Sequence, residues 1–249
     1  MTINDNHLKA SGKTSGTFYF KQFKVEDGRS TMKVGTDAVL LGAMVNTEGS
    51  EEILEIGTGS GVIALILAQR SKAHIDAVEI DEESVNQAIE NAENSPWNDR
   101  IQIIRSSLQE FAEKTSKRYD LIISNPPFFT CSLKSPDKKR NLSRHDESLS
   151  FEDLATNAAR LMTNDASLWI ILPVREGEEF TFIAEKSGLF VHFRVSITSK
   201  EGRKEYRRVF QLKKGRPGEY AESTLVISDG KGIPTKEYIA LTKELYLDF

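Results

Sequence analysis

From Glu52 onward the chain alternates short apolar runs with stretches in which apolar residues recur every three or four positions. Ile53-Leu54-Glu55-Ile56 reads as a strand, and Val62 to Gln69, behind a glycine cluster, as a helix. The grammar repeats: strand Ile75-Asp76-Ala77-Val78, a helix from about Glu82 to Asn94, then strands Ile101-Gln102-Ile103-Ile104 and Tyr119-Asp120-Leu121-Ile122-Ile123. Ser150-Phe151-Glu152-Asp153 forms a capping box, with Asp in place of the usual Glu, and opens a helix to about Met162. Leu168 to Leu172 follows as a buried strand, and after a further helix Val191–Thr198 and Arg207–Leu212 alternate as strands around a basic loop. Alternating β and α segments predict an α/β fold, with a mostly parallel sheet covered by helices on both faces.

Ahead of this unit, Phe18 to Val25 carries aromatic and branched residues partly in alternation, which predicts a strand or hairpin before a turn at Asp27-Gly28. Val39 to Val45 reads as a helix. The opening MTINDNHLKASGKTSG is polar and has no apolar segment behind a basic start, so it reads as a frayed tail and not as a secretory signal. Residues 1–46 are therefore expected to form a tail and N-terminal extension, and 47–249 one compact unit without internal repeats.

The 249 residues, 39% hydrophobic and 28% charged, suit a soluble globular chain able to bury a sizeable core. No apolar run approaches the roughly 20 residues that cross a bilayer, so no membrane association is expected. A single cysteine, Cys131, allows no intramolecular disulfide and no cysteine-based zinc cage; the expectation is no metal and a cytoplasmic location. Net charge is −4, but Glu48 to Arg100 holds twelve acids against three basic residues, whereas Arg194 to Arg216 holds nine Lys/Arg against two acids. Such asymmetry marks either a polyanion-binding face or solvated charge. Monomer is the default oligomeric state.

The glycine cluster lies where chemistry is expected. Glu55-Ile56-Gly57-Thr58-Gly59-Ser60-Gly61 joins a strand to a helix, where missing Cβ atoms let a ligand approach the backbone and the helix N-terminus. The dinucleotide fingerprint G-x-G-x-x-G requires a glycine at position 62, which is Val62, so NAD or FAD is disfavoured. Glu79 stands eighteen residues beyond Gly61 at the end of the next strand, placed to accept hydrogen bonds from ribose hydroxyls. The G-x-G-x-G form resembles the S-adenosylmethionine loop of class I methyltransferases. That resemblance implies a Rossmann-like, seven-stranded twisted sheet with a small N-terminal hairpin/helix extension. It makes Glu55, Gly57, Thr58, Gly59, Gly61 and Glu79 candidate cofactor residues. Many such relatives carry an acid at the end of the third strand, where this chain has Ser106-Ser107-Leu108; Ser107 is either an adenine contact or a strand-ending serine.

Ser124-Asn125-Pro126-Pro127-Phe128-Phe129 directly follows an apolar strand. Its prolines hold φ near −65° and lack N–H groups, so the Asn125 side chain and the local carbonyls can be fixed as acceptors facing one spot. The segment resembles the [Asn/Asp/Ser]-Pro-Pro-[Tyr/Phe/Trp] motif of methyltransferases acting on planar, conjugated nitrogens: adenine N6, guanine N2 or a glutamine amide. By that resemblance Asn125, Pro126, Pro127 and Phe128 are the candidate catalytic residues, with Asn125 also counted beside the cofactor. Cys131 has no basic partner nearby in sequence and reads as a packing residue.

Phe20-Lys21-Gln22-Phe23, Met32 to Ala43, Asn125 to Phe128, Arg144 to Leu149 and a closing Leu241–Phe249 helix together resemble the bacterial tRNA1(Val) adenine-37 N6-methyltransferases, over roughly residues 17–249. The resemblance implies S-adenosylmethionine as cofactor, tRNA rather than DNA as partner, and an N-terminal segment that covers the cofactor. Thr36 and Asp37 then face methionine or, alternatively, cap a helix. Lys134, Lys138, Lys139, Arg140 and Arg144 after the motif, and Arg203, Lys204, Arg207, Arg208, Lys213, Lys214 and Arg216 later, are candidate phosphate contacts. His145 reads as a capping or core residue. The alternatives are a guanine-N2 ribosomal RNA methyltransferase, a protein glutamine methyltransferase, or a non-catalytic RNA-binding scaffold with the same fold.

Overall fold

The computed structural model describes residues 16–127 and 149–249. Strands β1 (Thr17–Tyr19) and β2 (Lys24–Glu26) form an antiparallel hairpin. The hairpin reverses between Phe20 and Phe23, whose N–H and C=O meet at 2.8 Å, and the chain bends again from Gly28, after β2. Helix α1 (Thr36–Met44) buries every residue from Ala38 to Ala43, consistent with a sequence apolar on all sides.

The main unit then runs β3 (Glu52–Ile56), α2 (Val62–Arg70), β4 (His74–Glu79), α3 (Glu82–Glu93), β5 (Ile101–Arg105), α4 (Leu108–Lys114) and β6 (Tyr119–Ser124). It continues through α5 (Phe151–Leu161), β7 (Met162–Pro173), α6 (Val174–Lys186), β8 (Leu189–Lys200), β9 (Arg207–Lys214), β10 (Ala221–Ser228) and α7 (Lys236–Thr242). The large sheet has the order β10-β8-β9-β7-β6-β3-β4-β5. It is parallel from β7 to β5, while β9 is antiparallel to both of its neighbours.

The sheet has eight strands rather than seven. The eighth, β10, pairs parallel to β8 from Ala221↔Phe193 to Ser228↔Lys200. Its first four residues, Ala221 to Thr224, are exposed on the sheet edge, so no period-two apolar pattern announces it. The closing helix also differs from expectation. α7 starts at a Thr235 cap, whose hydroxyl accepts the Tyr238 amide at 3.2 Å, and ends at Thr242. Beyond it Leu245 and Tyr246 are buried and the Lys21 amide donates to the Leu245 carbonyl at 2.9 Å, which docks the chain end on the N-terminal hairpin.

Apolar runs are continuous in the central strands because both sheet faces are buried. Ile53, Leu121, Ile123 and Ile171 point into a core shared with α1, α2 and the hairpin, whereas Leu54, Ile122, Ile170 and Leu172 point into a second core under α4, α5 and α6. The chain proceeds from β3 outward through β4 to β5 and then returns to the other side of β3 with β6. That reversal opens a crevice at the carboxyl ends of β3 and β6, where doubly wound sheets bind ligands.

Candidate active site

Both predicted motifs meet at this crevice. Ile56 of β3 pairs with Ser124 of β6 and with Val78 of β4, so the chain leaves the sheet side by side at Gly57, Asn125 and Glu79. The buried Ser124 hydroxyl donates to the Ile56 carbonyl at 2.9 Å and ties the two strand ends together.

Gly57, Gly59 and Gly61 have φ of 74°, 56° and 82°, a left-handed backbone that favours glycine. The amides of Gly57 and Thr58 donate to the Val78 carbonyl at 2.8 and 3.2 Å, and Gly61 forms the N-cap of α2. Space beside Gly57 is open: a Cβ built there meets nothing within 4 Å. Glu79 turns toward this loop. Its Oε2 accepts the Gly59 amide at 2.9 Å, and its Oε1 accepts those of Ile80 and Asp81 at 2.9 and 3.0 Å.

Glu55 lies beneath the loop, almost fully buried. Its Oε2 accepts the Thr58 hydroxyl at 2.7 Å and the Ala64 amide at 2.9 Å, whereas Oε1 has no partner among the described residues. Burial pushes its pKa up to about 8, opposed by those two hydrogen bonds. Glu55 and Thr58 thus brace the loop from within.

Asn125 is 8% exposed, and its Oδ1 is buried without a hydrogen-bond partner among the described residues. Such an atom forfeits about 1–3 kcal/mol unless something else donates to it. Pro126 is buried and Pro127 exposed. Phe128, Phe129, Cys131, Lys134, Lys138, Lys139, Arg140, Arg144 and His145 lie outside the described residues.

The extension covers the glycine loop from the other side. Asn91 of α3 holds it: Oδ1 accepts the Glu26 amide at 2.9 Å, while Nδ2 donates to the Glu26 and Ser60 carbonyls, both at 2.8 Å. Thr31 N–H donates to Ser84 Oγ of α3 at 3.2 Å, and Val34 N–H to the buried Asp27 carboxylate at 3.0 Å. Asn91, Thr31, Ser84 and Asp27 belong to none of the motifs read from the sequence. Asn91 stands 65 residues from Glu26, and only folding joins them.

Several of the expected site residues have partners within the chain. Neither Thr36 nor Asp37 caps α1, because Gly35 occupies the N-cap; Asp37 Oδ2 instead accepts from Arg207 Nε at 2.6 Å. Arg208 is likewise committed, to Glu178 at 3.1 Å and Glu205 at 2.5 Å, so both arginines are drawn into internal ion pairs by acids distant in sequence or on the adjoining turn. Arg203, by contrast, is exposed. Ser107 is the N-cap of α4, and its hydroxyl accepts the Glu110 amide at 3.2 Å. No helix among the described residues is long and apolar enough to cross a membrane.

A family model for the methyltransferase small domain matches residues 29–180. A protein of Phocaeicola vulgatus named tRNA1(Val) (adenine(37)-N6)-methyltransferase is 43% identical over 231 residues, covering 93% of this chain and 97% of its own length. Proteins of the same name from Tolumonas auensis and Trichodesmium erythraeum are 41% and 43% identical, each over 93% of this chain and over 97% and 98% of their own lengths. Among solved structures, a predicted O-methyltransferase of Agrobacterium tumefaciens aligns with a TM-score of 0.63 at 19% identity, covering 84% of this chain and 96% of that one. A ribosomal protein L11 methylase of Lactobacillus delbrueckii aligns with a TM-score of 0.55 at 15% identity, over 77% and 84% of the two chains. These two likenesses establish the class I methyltransferase fold.

Proposed function

The chain belongs to the tRNA1(Val) (adenine(37)-N6)-methyltransferase family, and from that premise we infer that it transfers a methyl group from S-adenosylmethionine to N6 of adenine 37 in tRNA1(Val). The observation that carries the site assignment is the buried Asn125 Oδ1, without a partner among the described residues, at the carboxyl end of β6 beside the end of β3.

The residues of the crevice fit the cofactor. Open space beside Gly57 admits a ligand against the backbone, and the Glu79 carboxylate, already turned to the Gly59 amide, retains acceptor capacity for ribose hydroxyls. When bound, S-adenosylmethionine supplies an electrophilic methyl carbon on a sulfonium that is a good leaving group.

The exocyclic amine of adenine shares its lone pair with the ring and is a weak nucleophile. Asn125 Oδ1 and the Pro126 carbonyl accept its two N–H bonds, which favours a pyramidal nitrogen with its lone pair free for attack. Both acceptors are fixed in advance by the proline backbone and the Ser124 tie, so charge developing on nitrogen meets dipoles that need no reorganisation. Alignment for in-line transfer supplies much of the remaining acceleration, and the methylated nitrogen, left cationic, becomes neutral by giving one of its two N–H protons to water. Phe128 is the aromatic residue assigned to stack on the base. The anticodon loop offers adenine 37 already unpaired, so no extraction from a duplex is required.

Incubation of tRNA with the protein and methyl-labelled cofactor, followed by nucleoside analysis and mapping, tests this reading. Label in N6-methyladenosine at position 37 is expected. Label confined to guanosine or to protein would redirect the assignment to the other amine acceptors that share the Asn-Pro-Pro-aromatic motif.

A further inference from the structure

We propose that Ser30, in the segment between the hairpin and α1, is a cofactor-contacting residue whose hydroxyl hydrogen-bonds the bound S-adenosyl ligand over Gly59. The proposal rests on the cofactor assignment above. Ser30 is 5% exposed, and its Oγ is buried with no hydrogen-bond partner among the described residues. A buried hydroxyl left unpaired is costly, and a partner from outside the described residues removes that cost.

Its position says what that is. A Cβ placed on Gly59 would lie 3.5 Å from Ser30 Oγ, so the hydroxyl stands over the side-chain face of the glycine loop. The Gly59 amide is already given to Glu79, and those of Gly57 and Thr58 to Val78, so the hydroxyl gains nothing from these loop groups. The neighbouring residues hold Ser30 in place: Arg29 bonds Gln87 and Glu90 of α3, and Thr31 bonds Ser84. Ser30 is therefore the one residue of this stretch that is anchored on both sides yet unpaired itself.

A hydroxyl can donate to the carboxylate at the amino-acid end of the ligand or exchange hydrogen bonds with its ribose hydroxyls; a neutral-to-charged or neutral hydrogen bond is the shared chemistry.

Calorimetric titration of the full chain with S-adenosylhomocysteine and with 5′-methylthioadenosine, for wild type and Ser30→Ala, tests the proposal without turnover. The affinity of Ser30→Ala for S-adenosylhomocysteine should fall roughly three- to tenfold, the worth of one net hydrogen bond. A fall for both ligands identifies the ribose as partner, and a fall for S-adenosylhomocysteine alone identifies the carboxylate. Because the hydroxyl is unpaired in the free protein, the melting temperature of ligand-free Ser30→Ala should equal or exceed that of wild type. A lowered ligand-free melting temperature with unchanged affinity would show a purely structural serine and overturn the proposal. Ser30→Thr, which keeps the hydroxyl, should recover at least part of the affinity; failure to do so while binding is lost in Ser30→Ala also overturns it. Absence of binding by wild type would instead defeat the cofactor assignment itself.

Discussion

Arg207 Nε donates to Asp37 Oδ2 at 2.6 Å, fastening the first turn of α1 to the start of β9 across 170 residues of sequence. Both side chains are largely withdrawn from solvent, so removing Arg207 leaves the Asp37 carboxylate desolvated without its arginine. Arg207→Ala is expected to cost about 1–2 kcal/mol in urea denaturation. A double-mutant cycle with Asp37→Ala should show positive coupling, and additive losses would mean that the pair contributes nothing of its own.

The same pairing separates the basic residues by role. Arg203 is exposed, whereas Arg207 and Arg208 are held by acids. Arg203→Ala should make the salt dependence of tRNA binding shallower by about one phosphate contact, while Arg207→Ala leaves the slope near that of wild type. The reverse ranking in filter binding across a salt series would reject this division.

Asn125→Ala removes an acceptor that matters most as the amine becomes cationic. The expected loss in kcat is about 100- to 1000-fold, by analogy with removal of one preorganised dipole. Affinity for S-adenosylhomocysteine should stay within a few-fold of wild type, and a parallel loss of both would make Asn125 a binding residue instead of a catalytic one.

Glu55 carries a pH signature. Its folded pKa of about 8 lies above the ordinary carboxylate value because burial penalises the charged form. A raised folded pKa means the folded state binds more protons, so the contribution to stability is complete below about pH 4 and is lost as pH climbs toward 8. Glu55→Gln retains an acceptor for Thr58 and Ala64 but does not titrate. Its stability relative to wild type should therefore rise between pH 5 and pH 8, by up to about 1.4 kcal/mol per pH unit. A constant difference across that range would place the carboxyl's titration elsewhere.

Asn91→Ala deletes three hydrogen bonds that join α3 to β2 and to Ser60 of the glycine loop. It should cost about 1–3 kcal/mol and lower amide exchange protection at Glu26 before it does so in the central strands. Uniform loss of protection would point to global destabilisation without a local hinge at the hairpin.

The chain's own pattern determined the elements around β3 to β6 and the order of the two motifs. Continuous apolar runs require strands buried on both faces, and G-x-G-x-G and Asn-Pro-Pro are local signals whose conformational needs are met within a few residues. Edge strand β10 escaped that reading because half of it faces water, and the closing helix was displaced because burial of Leu245 and Tyr246 reflects docking on the hairpin, not helical periodicity. Only the tertiary structure decided which charges are available and which polar atoms lack partners. Asp37 meets Arg207, Arg208 meets Glu178, and Asn91 spans α3 and β2, whereas Asn125 and Ser30 each end with an oxygen unpaired among the described residues. Hydrogen bonds and ion pairs depend on distances of a few ångströms, and sequence separation carries almost no information about those once a sheet has brought its strand ends together.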